Sequence, residues 1–172
     1  ARLGGPVIAY WNSSNTSVHP ADAVALQHLL ERVGRHDTLF IVIKSDGGCG
    51  ETALRIVHLL RQHCRCLVAL VPRECASAAT MIALGADRIE MGPAGYLTAV
   101  DVSLVHDLSP TNRAGGVAVS VDEVQRVVRL AHETQGPGPG KAESPYHSLY
   151  EHLHPLVIGA ADRAESLSVS LC

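Results

Sequence analysis

Aromatic side chains make up only 3% of this chain, and lysine occurs only at Lys44 and Lys141. With 14 Lys and Arg against 17 Asp and Glu, the net charge is -3, and no basic stripe interleaved with aromatics occurs. That excludes the usual grip on a nucleic acid, which needs clustered cations for phosphates and rings for bases. Apolar runs fall short of the roughly 18 residues of a membrane span, and no basic-plus-apolar leader opens the chain. A start at Ala1 rather than Met reads as a piece of a longer protein, so membrane association is expected only through segments outside it. Cys64 and Cys66, two of the five cysteines, stand too close for a CxxC pair, so reduced thiols and a cytoplasmic location are expected. His147, His152 and His154 crowd one stretch without HExxH spacing, so neither a metal nor another cofactor is expected. Against these absences, 47% hydrophobic and 18% charged residues over 172 positions suit an ordinary globular domain.

Strand-like and helix-like runs alternate along the first two thirds of the chain. Pro6 to Trp11 is a short β-prone run, and Pro20 opens a helical pattern that Gly34 ends. Thr38 to Ile43 is almost wholly apolar, as in a strand covered on both faces. SDGGCG turns from it into a helix over Glu51 to His63. A second buried strand, Cys66 to Val71, stops at Pro72, and an apolar helix follows over Ser77 to Leu84. Arg88 to Met91 alternates like an edge strand, and GPAGYL turns towards Thr98 to Val105. The pattern predicts an α/β fold, a mostly parallel sheet of repeated β-β-α and βα units wrapped by helices, with ligands at the carboxyl ends of its strands.

Residues 106–116 are polar and carry Gly and Pro, which reads as a loop. Ser120 with Glu123 forms a capping box for a helix through Ala131. GPGPGKAES, residues 136–144, is a flexible linker, and Ser144-Pro145 starts a last helix that Pro155 kinks or divides. The expected organisation is a core over 1–135, that linker, and a helical extension over 145–172 that packs on the core or on a neighbouring subunit.

Two turns, SDGGCG and RECAS, leave successive strands on one side of such a sheet, so they are placed to share a cleft. Acyl transfer needs a hydroxyl beside backbone N–H groups, and paired glycines let a turn direct its amides outward. Gly47 and Gly48 suit that part, and Ser77 supplies a hydroxyl at a helix start. Taken singly, Ser77 reads equally as a helix cap, and the Gly pair as a plain turn.

In order and spacing, Ile41-Val-Ile-Lys-Ser-Asp-Gly-Gly48, Leu67 to Pro72, Ala76-Ser-Ala-Ala-Thr-Met-Ile-Ala-Leu-Gly-Ala-Asp87 and Arg88-Ile-Glu-Met-Gly-Pro93 resemble the ClpP/crotonase superfamily. Within it the chain is most similar to the serine dehydrogenase proteinase branch. The resemblance implies a ClpP/crotonase-like fold and a serine peptidase without its own ATPase, with Ser77 as nucleophile and Gly48 or Gly47 with Ala78 as oxyanion donors. It implies a peptide or protein substrate and a homo-oligomer. Asp46 stands where the family has proline, and Ala78-Ala79 where it has two glycines.

A serine hydroxyl needs a base to take its proton. The position that carries histidine in Clp-type members is Asp101 here, better suited to orienting a base than to acting as one. His106 ranks first as base, Lys44 second and His154 third, although Lys44 reads more readily as a surface lysine at a strand end. Two rival readings follow from the same fold: a catalytically silent binding module, and a crotonase-like acyl-CoA enzyme that uses the oxyanion hole without the serine.

Overall fold

A computed structural model of the chain describes residues 3–13, 15–100, 103–104, 107–109, 111–112, 115–116, 119–134 and 154–171. They divide into two compact units, Ala1–Val100 and Asp101–Ser170.

The first unit is built on a parallel sheet of four strands, β1 (Val7–Trp11), β2 (His36–Lys44), β3 (Cys64–Val71) and β5 (Arg88–Met91), in the order β1-β2-β3-β5. Helices α1 (Pro20–Val33), α2 (Gly50–Gln62) and α3 (Ala78–Leu84) form the crossovers, and α2 packs between the other two. The period-2 alternation of the strands sends Leu39, Ile41, Ile43, Leu67, Ala69 and Val71 to one face. There they form a single core with Leu26 and Leu30 of α1, Ile56 and Leu60 of α2, and Ile82 of α3. On the other face Phe40 and Val68 are buried, but Val42 and Leu70 are only half-buried and Trp11 is exposed. The cover of β2 is therefore more complete on the helix side than on the other.

Local chemistry sets the boundaries. His19 caps α1: its Nδ1 accepts the Ala21 N–H at 3.2 Å, while Asp22 Oδ2 accepts the His19 N–H at 2.8 Å, and Pro20 takes the first helical position, where its missing N–H costs nothing. The same carboxylate oxygen accepts the Tyr10 hydroxyl at 2.7 Å, which ties β1 to α1. Asp22 and burial together raise the Tyr10 pKa, with burial the larger cause. Gly34 ends the helix with φ at 79°.

Two short strands lie outside the periodic pattern: β4 (Glu74–Cys75), in a segment read as a turn, pairs in parallel with β6 (Tyr96–Leu97), at the end of GPAGYL. Two residues are too few to show any periodicity.

The second unit contains β7 (Ser103–Leu104) paired with β10 (Val119–Ser120), and β8 (Thr111–Asn112) paired with β9 (Gly115–Gly116). The expected loop over 106–116 thus holds a small antiparallel pair. Helix α4 (Val121–Thr134) follows Ser120, whose Oγ accepts the Glu123 N–H at 3.3 Å, the bond expected of its capping box. Helix α5 (Pro155–Leu171) begins at the proline. Val119 and Val157 are the buried centre of this unit, with Val124 and Ile158 packed against them. The linker over 136–144 and the helix expected before His154 lie outside the described residues.

Candidate active site

The two turns proposed to share a cleft are joined by backbone bonds. Ser45, one residue past β2, forms a parallel bridge with Cys75 at the end of β4. Its N–H donates to the Glu74 carbonyl, and its own carbonyl accepts the Ala76 N–H, each at 3.0 Å. The SDGG turn is thereby fixed beside Ser77.

Ser77 stands between β4 and α3 with φ at 50° and ψ at -119°. It is the only described residue other than glycine with positive φ. An L-residue held there stores on the order of 1–3 kcal/mol of strain that neighbouring structure must offset. Ser77 is the residue before α3, yet its hydroxyl makes no capping bond. Among the described residues that hydroxyl has no hydrogen-bond partner. A sharp strand-to-helix turn that presents a strained, unengaged serine is the geometry of a nucleophile elbow, reached here without the GxSxG sequence. The neighbouring thiol is a poor competitor, because burial pushes Cys75 up to about 12.

The glycines are required by contact as well as by conformation. A Cβ on Gly47, at φ 107°, would lie 2.8 Å from Ser77 Cβ and 3.3 Å from its Oγ. One on Gly48, at φ 142°, would lie 2.5 Å from the Val18 nitrogen. The two amides differ in use. Gly47 N–H donates to Ser45 Oγ at 3.2 Å. Gly48 is bridged to Val18, and in a parallel bridge the partner bonds the flanking residues: Val18 N–H donates to the Gly47 carbonyl at 2.7 Å, and the Cys49 N–H donates to the Val18 carbonyl at 2.9 Å. Among the described residues, the Gly48 N–H therefore has no acceptor, and neither does the N–H of buried Ala78, the first residue of α3.

Lys44 corrects an expectation. Rather than a surface lysine, it is 8% exposed. Its Nζ donates to the Asn12 carbonyl at 3.0 Å and lies 4.0 Å from Glu74 Oε1. The cause is the register of the sheet, which sets Trp11 opposite Lys44 and brings the chain after β1 over the strand end. The Glu74 carboxyl is held below its usual range, first by its own backbone N–H and then by Arg73 and Lys44. His154 lies in the second unit, where its Nδ1 accepts the Leu156 N–H at 3.2 Å as a cap of α5. His106 and Asp101 lie outside the described residues.

Two contributors had no signal in the sequence. Ser45 shapes the Gly turn, and Thr98 Oγ1 accepts the Ser77 N–H at 2.9 Å. Both follow from which turns meet in space, which no local pattern records. Among the described residues no group of His, Cys, Asp and Glu is arranged to hold a metal ion, and no helix is long and apolar enough to cross a membrane.

Fold and site together describe an α/β protein with a mostly parallel sheet and a strained serine at a strand-to-helix turn. No family model matches the sequence, and no curated protein does. Among solved structures the chain is similar to a mutant of the 1510-N membrane-bound stomatin-specific protease, at 17% identity and a TM-score of 0.49, over 74% of this chain and 61% of that one. It is also similar to a lysine-to-alanine mutant of the same protease in complex with a substrate peptide, at 21% identity and a TM-score of 0.47, over 76% of this chain and 62% of that one. The chain thus spans about three fifths of the length of these proteins.

Proposed function

We infer that the chain is a serine peptidase of the ClpP/crotonase-like type, close in kind to the serine dehydrogenase proteinases, and that Ser77 is its nucleophile. The observation that carries this reading is the conformation of Ser77: φ 50°, ψ -119°, at a strand-to-helix turn, with a hydroxyl that does not cap the helix it precedes. A plain N-cap residue takes extended backbone angles and accepts a helix N–H through its side chain; Ser77 does neither.

In this reading Ser77 Oγ attacks the carbonyl carbon of a peptide bond while its proton passes to a base. The Gly48 and Ala78 N–H groups donate to the developing oxyanion. The tetrahedral intermediate collapses, its C–N bond breaks, and the base returns the proton to the leaving amine. Water, deprotonated by the same base, then hydrolyses the ester on Ser77. His106 is assigned as the base, with Asp101 orienting it, because Lys44 is committed to Asn12 and Glu74 and His154 to the start of α5. The Gly47 amide, engaged by Ser45, is assigned to the shape of the turn and not to the oxyanion. The working form is a homo-oligomer.

Incubation with a fluorophosphonate probe tests this. Wild type is expected to be labelled and Ser77→Ala not, with size-exclusion chromatography showing an assembly. If the assembled wild type takes no label, the peptidase reading is overturned in favour of a catalytically silent member of the fold.

A further inference from the structure

We propose that Thr98 is the positioning residue that holds Ser77 in its attacking conformation, a role that rests on the peptidase reading above. The backbone of Ser77 is strained, and each constraint on it can be named. The Ala76 N–H donates to the Ser45 carbonyl at 3.0 Å before it, and the Met81 N–H donates to the Ser77 carbonyl at 3.3 Å after it. Gly47 gives it room by having no side chain. At the residue itself, the N–H donates to Thr98 Oγ1 at 2.9 Å, across 21 positions of sequence. This last bond is the only one of these hydrogen bonds that a side chain supplies.

The topology explains how Thr98 comes to be there. β6 runs parallel to β4, with Glu74 opposite Tyr96 and Cys75 opposite Leu97. The pairing stops where the chain bends into the Ser77 turn. A regular ladder would next satisfy amides with backbone carbonyls; with the turn bent away from the ladder, a side chain one residue past β6 replaces the carbonyl. Thr98 is suited to this. Its hydroxyl proton donates to the Ala99 carbonyl at 3.0 Å, which leaves a lone pair for the Ser77 N–H. Its β-branch restricts χ1 and so limits the swing of that oxygen. A strained peptide unit that loses its acceptor relaxes towards an ordinary conformation, and the hydroxyl of Ser77 turns with it.

Thr98 meets Ser77 through the Ser77 backbone N–H, so in this proposal it acts through Ser77. Two variants separate that role from a general effect on folding. Thr98→Val keeps the shape and removes the acceptor, while Thr98→Ser keeps the acceptor. Thr98 is exposed, so both are expected to fold, checked by unchanged amide exchange in β3. The fluorophosphonate labelling rate is expected to fall about tenfold in Thr98→Val, the scale of one lost hydrogen bond, and to return to within about threefold of wild type in Thr98→Ser. Hydrogen exchange at the Ser77 amide is expected to speed up about tenfold in Thr98→Val alone. Unchanged labelling and exchange in Thr98→Val, or a Thr98→Ser as impaired as the valine variant, overturns the proposal. Should wild type take no label, the peptidase reading fails by itself; Ser77 amide exchange then decides the role of Thr98, and exchange unchanged in Thr98→Val overturns it.

Discussion

The two ends of the parallel sheet differ in how their chemistry is used. The amino end is rich in reactive side chains: a cleft of about 510 Å³ is lined by Arg35, His36, Asp37, Gln62, His63, Cys64 and Arg65. Three of these side chains serve helix ends, and Arg65 lies 3.9 Å from Asp37 in an exposed pair. His36 Nε2 lies 3.0 Å from the Val33 carbonyl, the last of α1, and His63 Nδ1 lies 2.8 Å from the Leu59 carbonyl. The Cys64 thiol donates to the Leu60 carbonyl at 3.3 Å. These carbonyls lie in the last turn of their helices, where the regular ladder ends; that of Leu60 also accepts the His63 N–H at 3.0 Å. At the carboxyl end the Ser45 and Thr98 hydroxyls are engaged and only that of Ser77 is left unbonded among the described residues, but the backbone is strained at Ser77 and the Gly48 and Ala78 amides have no acceptor among the described residues. Strain and unspent donors, more than the number of reactive side chains, separate the site from the scaffold.

The contrast can be broken by substitution, and the largest effect is expected at the carboxyl end. Gly47→Ala places a methyl 2.8 Å from Ser77 Cβ at a φ of 107°. Fluorophosphonate labelling is expected to fall at least about 100-fold, and urea unfolding to show a loss of about 1–3 kcal/mol. A variant that labels at the wild-type rate would mean that the turn does not hold Ser77. His106→Ala should likewise remove most labelling, by a factor on the order of 100 or more, whereas Lys44→Met should leave it within about threefold.

Stability is expected to respond the other way at Lys44. Its removal strips the Asn12 carbonyl of a buried donor and Glu74 of a partner, at a cost of about 1–3 kcal/mol in urea unfolding. If Lys44→Met instead loses labelling at unchanged stability, the roles of Lys44 and His106 exchange.

A smaller effect is expected at Asp87, whose Oδ2 accepts from Arg61 and, at 2.7 Å, from the Leu67 N–H. Arg61 chiefly, and then the Leu67 N–H, hold its carboxyl below the usual range. A carboxyl with its pKa depressed by folding stabilises the fold fully above the unfolded value, about 4, and less as pH falls through the folded value. Asp87→Asn should therefore cost on the order of 1 kcal/mol at pH 7, modest because the pair is partly exposed and screened. The difference from wild type should shrink below about pH 4; a difference constant down to pH 2 would contradict the assignment. Smallest of all, His36→Ala should shift stability by under about 1 kcal/mol and leave labelling unchanged, since its ring meets only a helix-end carbonyl.

The frame of the first unit was legible because its core strands and helices are long enough to repeat a period. Val7–Trp11, Pro20–Val33 and Arg88–Met91 fall where alternation, a first-turn proline and an edge pattern place them. The starts of β2 and β3 extend two residues earlier than expected, to His36 and Cys64, because pairing with a neighbour continues past the apolar run. Ser77 and the Gly pair were legible as residue types in order. Their meaning was not, because the strain at Ser77, the engagement of Gly47 by Ser45 and the bond from Ser77 to Thr98 all arise where distant turns meet. Lys44 makes the same point: a strand-end lysine is exposed by default, and only the segment after β1 buries it.

Mapping a fluorophosphonate adduct by mass spectrometry tests the central claim most directly. In the assembled protein the adduct is predicted on the tryptic peptide 74–88, at Ser77, with the serines of every other peptide unmodified. An adduct at another serine with Ser77 unmodified, or none at all, would contradict it.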